Sequence, residues 1–541
     1  FSYRYEGAEE IMLKDLNLTI NEGEFIGVVG CNRAGKSTLC KCLVGILPFV
    51  VGGDWEGEIV IDGQSLNDTR GEGAFETIGI VFQDAESQFT QPTVEDEMAF
   101  AMCNYGFPRD VIQERIRYAA KACGLEDLLG RSPFRLSGGQ QQRLAVGCIL
   151  ALQPRVLILD ESTSQLDPIG RDDIFRLVGD LNKQGKTVIM VDHNIEKIAE
   201  CVDKVLVLHD GNLVAFDDPH KVFSDKEKMN SHFVRLPQVT DAAIALKDQL
   251  DRYPLQKPFP YSRNWGRRNK MPEVVIKTQD LVHVYPHGGT RALDGVSLDI
   301  HRGDVVSIIG QNGSGKTTLV RHFNGLLRPT SGKVFLMGED TQTKSIAELS
   351  RHCGYVFQNP NHQIFCSTVK EELLVAPKNF RFTPEETKSR MDAVVELMGL
   401  GDILEKHPMT MDYTTKKIIT IASVLIFNPE VLILDEPTGG LDEVGRQMLS
   451  HVIKLVHGEG HTVIVISHDM DYVAENSSRV IMMAKAHVLD DSTPDKVFLN
   501  EELCKQAQIE PPQISSLDMA ISGRKSNVCL SVEDFIKRYS R

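Results

Sequence analysis

The 541-residue sequence has no long uninterrupted apolar run, although 42% of its residues are hydrophobic. A helix that spans a bilayer needs about 18 or more such residues. The most apolar segment, residues 418–427, ends at the polar sequence Asn428-Pro429-Glu430. Near the N-terminus, Glu9 and Glu10 interrupt any signal-peptide core. The sequence therefore predicts neither a membrane span nor a secretory leader.

Positive charge and paired cysteines are also scarce. The 59 Lys and Arg residues stand against 75 Asp and Glu, which gives a net charge of −16. This balance argues against a protein that binds nucleic-acid backbone, because that class needs a concentrated positive field. Of the 11 cysteines, only Cys40 and Cys42 approach the spacing of a metal-ligand pair. We expect reduced, mostly buried thiols of a cytosolic protein.

Much of the sequence occurs twice. The Gly-rich residues 30–38 recur at 310–318, an offset of 280, and later motifs recur at an offset of 275. The first half therefore has five extra residues, which we place within residues 49–56. Residues 273–280 have no counterpart before Phe1, so we expect the first half to lack its first strand. A repeat on this scale predicts two similar domains.

The predicted domain boundaries follow from the repeat. We expect a first nucleotide-binding domain at residues 1–225, its C-terminal appendage and a linker at 226–272, a second such domain at 273–500 and a second appendage at 501–541. Residues 257–272 are rich in Pro, Arg and Asn and are predicted to link the halves.

Each half has the pattern of an α/β fold. Short apolar runs at residues 25–29, 156–159 and 187–191 are typical of strands buried on both faces. Helical patterns, such as residues 111–123, lie between them. Strands that alternate with helices predict a parallel sheet covered by helices.

Both copies of the Gly-rich segment have the spacing G-x-x-x-x-G-K-[ST] between an apolar run and a helix, which is the context of a phosphate-binding P-loop. Lys36 and Lys316 would reach the β- and γ-phosphates of a nucleotide, and the hydroxyls of Ser37 and Thr317 would face Mg²⁺. The residues predicted to bind nucleotide here are Gly30, Asn32, Gly35, Lys36, Ser37 and Thr38, and Gly310, Asn312, Gly313, Gly315, Lys316, Thr317 and Thr318.

Each half also has an apolar run that ends in two carboxylates, Asp160-Glu161 and Asp435-Glu436. Alone, such pairs are most simply strand ends that meet solvent. Beside a P-loop, the aspartate is predicted to anchor Mg²⁺, and the glutamate to orient or deprotonate the attacking water.

Two histidines, His193 and His468, follow strands at the 275 offset. A lone histidine there is usually a packing residue. The recurrence favours a sensor of the γ-phosphate.

Residues 136–143 of the first half read Leu-Ser-Gly-Gly-Gln-Gln-Gln-Arg. Glycines that open a helical run predict a second helix N-terminus facing an anion, without the lysine of a P-loop. Such an element makes sense if it closes over a nucleotide bound elsewhere. Its candidate nucleotide-binding residues are Ser137, Gly138, Gly139 and Gln140.

These motifs, in this order over nearly the whole chain, resemble those of ATP-binding cassette (ABC) ATPases. The resemblance implies two tandem P-loop NTPase cassettes, each α/β with a helical subdomain and a small C-terminal appendage. It also implies that the cassettes pair head to tail within the chain, so that each ATP lies between one P-loop and the other signature. Tyr5 and Tyr285 would stack on adenine, and Gln83 and Gln358 would contact Mg²⁺.

A finer resemblance is to the energy-coupling factor transporter ATPases, which energise import of vitamins and some metal ions. It is carried by residues 81–97 and 356–372 and by the tail at 509–514. It implies a peripheral protein on the cytoplasmic face of a prokaryotic membrane. Its partners would be a membrane scaffold (T) component and a substrate-capturing (S) component, with no nucleic acid. The transported substrate would be chosen by the S component.

The two halves differ in their signature segments and in their P-loops. Asp412, Tyr413 and Thr414 replace the Ser-Gly-Gly of the first signature, and Cys31 and Arg33 stand where the second P-loop has Gln and Gly. By the resemblance, both departures fall on one composite site. The other site, of the second P-loop and the first signature, keeps every motif.

Short acidic clusters follow the glutamines, at Glu95-Asp96-Glu97 and Glu371-Glu372. A bare charge run is usually a solvated helical face. The position beside the nucleotide sensor and the family resemblance favour a docking surface for an arginine of the scaffold protein.

Two alternatives to this class are a soluble tandem-cassette protein and the fused ATPase of a simple-sugar importer. A soluble tandem cassette protein acting on ribosomes or nucleic acid would call for a long, charged inter-cassette linker and basic surfaces. A fused ATPase of a simple-sugar importer would have its degraded P-loop in the second half, whereas here the second P-loop is intact.

Overall fold

The computed structural model describes residues 1–71, 74–83, 85–163, 166–250, 273–286, 289–523 and 528–540. The chain divides into two compact units, Phe1–Ile244 and Ala245–Arg541. Within the described residues, no helix has the length and apolar character needed to cross a membrane. The linker predicted at residues 257–272 lies outside the described residues.

The strands of the first unit are β1 (Ser2–Arg4), β2 (Phe25–Val29), β3 (Asp54–Glu56), β4 (Val60–Ile61), β5 (Gln64–Ser65), β6 (Ile78–Val81), β7 (Val156–Asp160), β8 (Thr187–Val191), β9 (Lys204–His209) and β10 (Asn212–Asp217). Its helices are α1 (Lys36–Leu43), α2 (Leu66–Thr69), α3 (Ala74–Thr77), α4 (Val94–Asn104), α5 (Arg109–Cys123), α6 (Gly138–Ala151), α7 (Pro168–Lys183), α8 (Ile195–Cys201), α9 (Pro219–Ser224) and α10 (Lys226–Ser231), with α11 (Gln238–Leu250) crossing the unit boundary.

The main sheet of the first unit has the strand order β10-β9-β2-β8-β7-β6. All neighbours are parallel except β10, which pairs with β9 in the antiparallel sense. Every residue of β2 and of β8 is buried, because helices cover both faces of the sheet. The predicted strands and parallel sheet are therefore confirmed.

The strands of the second unit are β11 (Val274–Val284), β12 (Arg291–His301), β13 (Val305–Ile309), β14 (Ser331–Leu336), β15 (Glu339–Asp340), β16 (Cys353–Val356), β17 (Val431–Asp435), β18 (Thr462–Ile466), β19 (Arg479–Ala484) and β20 (His487–Ser492). Its helices are α12 (Lys316–Phe323), α13 (Ile346–His352), α14 (Val369–Leu373), α15 (Val375–Phe380), α16 (Pro384–Met398), α17 (Tyr413–Leu425), α18 (Glu443–Gly458), α19 (Met470–Asn476), α20 (Pro494–Leu499), α21 (Glu501–Ala507), α22 (Gln513–Ser522) and α23 (Val532–Tyr539).

The second unit repeats the main sheet, with the order β16-β17-β18-β13-β19-β20. A separate antiparallel sheet, β12-β11-β14-β15, accompanies it. In the first unit the corresponding short strands pair as β1-β3 and β4-β5. The P-loop in each unit joins a central strand (β2 or β13) to a helix (α1 or α12), and the carboxylate pairs end β7 and β17.

A helical subdomain follows the glutamine in each unit. In the first unit α4, α5 and α6 pack through buried residues that include Met98, Ile116 and Leu144. In the second unit α14, α16 and α17 do so through Leu373, Met398 and Ile419. The apolar stripes of these helices bury against one another and against the sheet, as amphipathic periodicity requires.

Candidate functional site

In each P-loop, the lysine side chain contacts the backbone of its own loop. The Lys316 ammonium donates hydrogen bonds to the backbone oxygens of Gly310 and Gln311 at 2.7 and 2.9 Å. Lys36 makes the same two contacts in the first unit, both at 2.9 Å. Both lysine side chains are buried. A buried positive charge at a helix N-terminus is the arrangement that binds phosphate oxygens.

Glycine is required immediately before each P-loop helix. Gly35 and Gly315 have φ angles of 101° and 104°, in the left-handed region. A Cβ at Gly315 would lie 2.4 Å from the backbone oxygen of Ala292, and a Cβ at Gly35 would lie 2.7 Å from the Leu13 side chain. Any side chain at these positions would displace the loop from the helix N-terminus.

The first P-loop keeps this geometry with a different residue at its tip. Arg33 has a φ of 64°, and Gly313 at the same place in the second loop has a φ of 77°. A left-handed conformation costs a non-glycine residue about 1–2 kcal/mol. The exposed Arg33 thus holds a strained backbone at the predicted phosphate site.

A hydroxyl and a carboxylate meet beside each P-loop helix. Thr317 donates to Asp435 at 3.3 Å, and Ser37 donates to Asp160 at 3.0 Å. Burial and the adjacent glutamate raise the pKa of Asp160 to about 6, and burial raises the pKa of Asp435. Mg²⁺ prefers such oxygen ligands together with phosphate oxygens. The two pairs therefore fit the predicted metal positions.

Glu436 stands at the end of β17, with the predicted glutamine and histidine beside it. The Gln358 amide donates to its carboxylate at 2.8 Å. His468 Nε2 lies 3.2 Å from the other carboxylate oxygen, an ion-pair distance without hydrogen-bond alignment. Burial opposes ionisation, but His468, Lys316 and Lys417 outweigh it and lower the pKa of Glu436. This carboxylate is therefore charged and available to orient a water molecule.

Glu161 has the corresponding contacts in the first unit. Gln83 donates to it at 2.9 Å, His193 lies at 3.1 Å, and the Lys36 ammonium lies at 3.7 Å. Burial opposes ionisation here too, but His193 and Lys36 lower the pKa of Glu161 to about 2. Glu161 and Glu436 also share a left-handed backbone, with φ angles of 51° and 48°. Strain of this kind is typical of functional positions.

The first signature presents bare backbone at the start of α6. The Ser137 hydroxyl accepts from the Gln140 backbone N–H at 3.4 Å, and the Gln140 side chain accepts from the Ser137 N–H at 3.0 Å. This reciprocal cap fixes the helix N-terminus. A Cβ at Gly138 would meet nothing within 4 Å, so open space surrounds that position. This exposed backbone is compatible with an anion-binding role, which stays a prediction.

The side chains of the second signature segment, residues 412–414, form hydrogen bonds within their own unit. Asp412 caps α17 with its carboxylate. The Tyr413 hydroxyl donates to the backbone oxygen of Gln358 at 3.2 Å, and the Thr414 hydroxyl donates to that of Gly440 at 3.2 Å. Side chains have thus replaced the glycines and occupy the space beside the glutamine and strand-end loops.

The two tyrosines predicted to stack on adenine lie against the P-loop helices. Tyr5 shares a hydrogen bond with Thr38 at 3.0 Å, and Tyr285 shares one with Thr318 at 3.1 Å. Their hydroxyls are therefore fixed on the nucleotide-binding helix, while their role toward adenine stays a prediction.

The acidic clusters require a correction. Glu97 and Glu372 are 7% and 3% exposed, so they are not part of an exposed acidic surface. The Glu97 carboxylate accepts hydrogen bonds from the backbone N–H groups of residues 90 and 91 in the preceding turn. The Glu372 carboxylate accepts them from residues 365 and 366, and all four distances are 2.7–3.0 Å. Turn amides that have no backbone partner need such an acceptor. Glu95, Asp96 and Glu371 remain exposed.

Sequence reasoning missed two side chains at the second site. The buried Tyr355 hydroxyl donates to Asp435 at 2.5 Å, and the Lys417 ammonium donates to the backbone oxygen of Glu436 at 2.6 Å. At the 275 offset the first unit has Ile80 and Gln142 instead. Comparison of the halves position by position would have singled out both residues.

Known proteins match the chain along most of its length. The ABC transporter family profile matches residues 13–164 and 293–439. A protein of Caldanaerobacter subterraneus named as an ABC transporter ATP-binding protein is 34% identical over 99% of this chain and 97% of its own length.

Solved structures are similar as well. The cbiO1 protein from Clostridium perfringens, part of the ABC transporter complex cbiONQ, is 32% identical over 45% of this chain and 98% of its own, with a TM-score of 0.40. A chain in the complex of archaeal ribosomal stalk protein aP1 and the archaeal ribosome recycling factor aABCE1 is 21% identical. It covers 93% of this chain and 91% of its own, with a TM-score of 0.60.

Proposed function

The chain belongs to the ABC transporter ATP-binding family, with two ATPase cassettes in tandem, and on that premise we propose that it energises an energy-coupling factor importer. ABC ATPase domains hydrolyse ATP and use Mg²⁺. In the proposed role, this hydrolysis drives import of a vitamin or a transition-metal ion through membrane partners.

The observation that carries the catalytic part is the set of contacts at Glu436. Lys316 would hold the β- and γ-phosphates, and Thr317 with Asp435 would hold Mg²⁺. Bound Mg²⁺ neutralises charge on the phosphates. Glu436 would orient the attacking water and accept its proton, and His468 would lie at the γ-phosphate side of that carboxylate. Lys36, Ser37, Asp160, Glu161 and His193 would have the same roles at the first P-loop.

The two ATP sites are unequal in this proposal. The second P-loop works with Ser137, Gly138, Gly139 and Gln140 of the first cassette, as the family resemblance implies. By the same resemblance, the segment at Asp412 would be the counterpart of the first P-loop. Side chains and a negative charge at that segment disfavour contact with the γ-phosphate. We therefore assign most turnover to Glu436.

Support for the importer role comes from the exposed carboxylates after the glutamines. Glu95, Asp96 and Glu371 suit charge-assisted pairing with an arginine of a scaffold (T) component, with an S component capturing the substrate. The chain would then lie on the cytoplasmic face of the membrane. The partly exposed Phe100 and the 74% exposed Phe365 lie on the same segments and add apolar surface to each cluster.

Expression of the chain together with the membrane proteins encoded beside it tests this role. ATP-dependent uptake of a vitamin or metal ion should appear in vesicles only when the chain and those proteins are both present, and Glu436→Gln should abolish it. Co-sedimentation with ribosomes, combined with no effect of the membrane proteins on ATPase rate, would contradict the importer role. The likeness to aABCE1, at 21% identity, is a likeness of fold.

A further inference from the structure

The helix after the second signature carries a buried lysine that the first unit lacks. Lys417 is 1% exposed and lies at the start of the second turn of α17. Its counterpart at the 275 offset is Gln142, whose amide donates to the backbone oxygen of Gln83 at 3.3 Å. A buried ammonium needs partners, because desolvation of an unpaired charge is costly.

Lys417 contacts the backbone of the turn that carries Glu436. Its ammonium donates to the backbone oxygens of Glu436 at 2.6 Å and Gly439 at 3.1 Å. The ring of Tyr413 lies 5.4 Å from it, one helical turn away. Hydrogen bonds from a charged donor are roughly twice as strong as neutral ones. Lys417 thus binds two points of the turn that carries Glu436.

That turn is strained, so its position depends on what holds it. Glu436 has a φ of 48°, a conformation that persists only when surrounding contacts enforce it. The Glu436 backbone N–H donates to Ile466 on the neighbouring strand at 3.0 Å, and Lys417 holds the carbonyl side. Glu161 has the same strand contact, to Val191 at 3.0 Å. Lys417 is one difference between the two turns, since the first unit has Gln142 at the corresponding position.

We propose that Lys417 is a positioning residue for Glu436, acting through the backbone oxygens of Glu436 and Gly439. The proposal rests on the proposed function, in which Glu436 acts on the attacking water. The second signature segment has then exchanged contact with phosphate for control of the glutamate in its own cassette. Tyr413, which reaches the Gln358 backbone from the same helix, ties the glutamine loop to that control.

Charge on Lys417 is part of the arrangement. Burial lowers the pKa of the Lys417 ammonium to about 8. The carboxylates of Asp435 and Glu436 act in the opposite direction and raise this pKa. Other ionisable groups in this region include Tyr413 on its own helix, His468, which follows β18 and contacts Glu436, and Lys316 of the P-loop, whose charge also acts on Glu436. Above about pH 8 the neutral amine keeps its donors but loses the charge that strengthens them. Turnover should therefore fall on the alkaline side.

The test compares kcat, KM for ATP and pH profile of the full-length chain with those of three variants. Lys417→Met should lower kcat by roughly tenfold or more, with KM for ATP changed less than about threefold, because the P-loop is untouched. Lys417→Gln, which restores the first unit's residue and a neutral donor, should recover part of kcat and remove the alkaline limb near pH 8. Lys416→Met removes a neighbouring lysine whose ammonium donates to the Asn361 side chain at 3.2 Å in an exposed contact, and should stay within about twofold of the unsubstituted chain.

Thermal unfolding and binding of a fluorescent ATP analogue establish that each variant is folded. If Lys417→Met and Lys417→Gln both retain kcat within about twofold and keep the alkaline limb, Lys417 does not position Glu436. Glu436→Gln in the same assay separates the two proposals. Full activity of Glu436→Gln would contradict the proposed function, whereas its inactivity beside unaffected Lys417 variants would contradict the positioning role alone.

Discussion

The carboxylate of Asp412 accepts a hydrogen bond from the backbone N–H of Thr415 at 2.9 Å and so begins α17. Ser137 begins α6 in the same way in the first unit. Aspartate and serine are both good N-caps. The second signature segment therefore still begins a helix. What has changed is its chemistry, because side chains stand where the first signature has glycines.

Restoring the first unit's residues should reactivate the weaker site. We expect Asp412→Ser, Tyr413→Gly and Thr414→Gly, combined in a Glu436→Gln background, to raise the residual ATPase rate several-fold. The serine keeps the helix cap, and the glycines expose the backbone N–H groups that phosphate requires. The ATPase rate of purified protein measures this. An unchanged rate in a folded protein would show that the first P-loop, not the signature, limits that site.

Arg33 should determine how long nucleotide stays on the first P-loop. Arg33→Gly fits the left-handed backbone, since Gly313 already occupies the same conformation in the second loop. It removes a guanidinium that can pair with a phosphate oxygen. We expect faster loss of bound ATP during gel filtration, by roughly tenfold for one charge-assisted contact. Retention equal to that of the unsubstituted chain would exclude contact between Arg33 and nucleotide.

Glu372 should contribute to stability and Glu371 should not. Glu372→Ala leaves two turn amides, of Phe365 and Cys366, without their acceptor. We expect the free energy of unfolding to fall by about 2 kcal/mol, and by less than about 0.5 kcal/mol for the exposed Glu371→Ala. Urea denaturation of the two variants measures the difference. Equal losses would mean that the buried carboxylate does not stabilise the turn.

The exposed acidic residues should govern attachment to the membrane partner. Charge reversal by Glu95→Lys with Asp96→Lys, or by Glu371→Lys, should release the chain from membranes that hold the partner or should uncouple hydrolysis from uptake. Nucleotide binding by the isolated chain should survive, since these side chains lie outside the P-loops. Intact assembly and transport in both variants would place the docking surface elsewhere.

The sequence predicted the sheet, the P-loops and the clustering of polar groups at strand ends because these depend on local spacing and repetition. Apolar runs at residues 25–29 and 187–191 became β2 and β8. Lys316, Asp435 and Glu436 lie close together because β13, which leads into the P-loop, and β17 both end at the same edge of the parallel sheet. No knowledge of side-chain orientation was needed for that inference.

Orientation is what the sequence alone did not reveal. Glu371 and Glu372 are neighbours of the same type, yet only Glu372 turns inward, because it alone faces the turn amides. Lys416 and Lys417 are likewise neighbours of the same type, yet only Lys417 is buried. Its burial depends on the distance between α17 and the strand-end turn, which is a property of packing between elements distant in sequence.

The most direct test of unequal ATP sites compares Glu436→Gln with Glu161→Gln in the assembled transporter. The two substitutions are chemically identical and affect carboxylates that each lie beside a glutamine and a histidine. We predict that Glu436→Gln lowers the steady-state ATPase rate by roughly a hundredfold or more, and that Glu161→Gln retains about half of it. Equal losses from the two substitutions would contradict the assignment of turnover to the second P-loop.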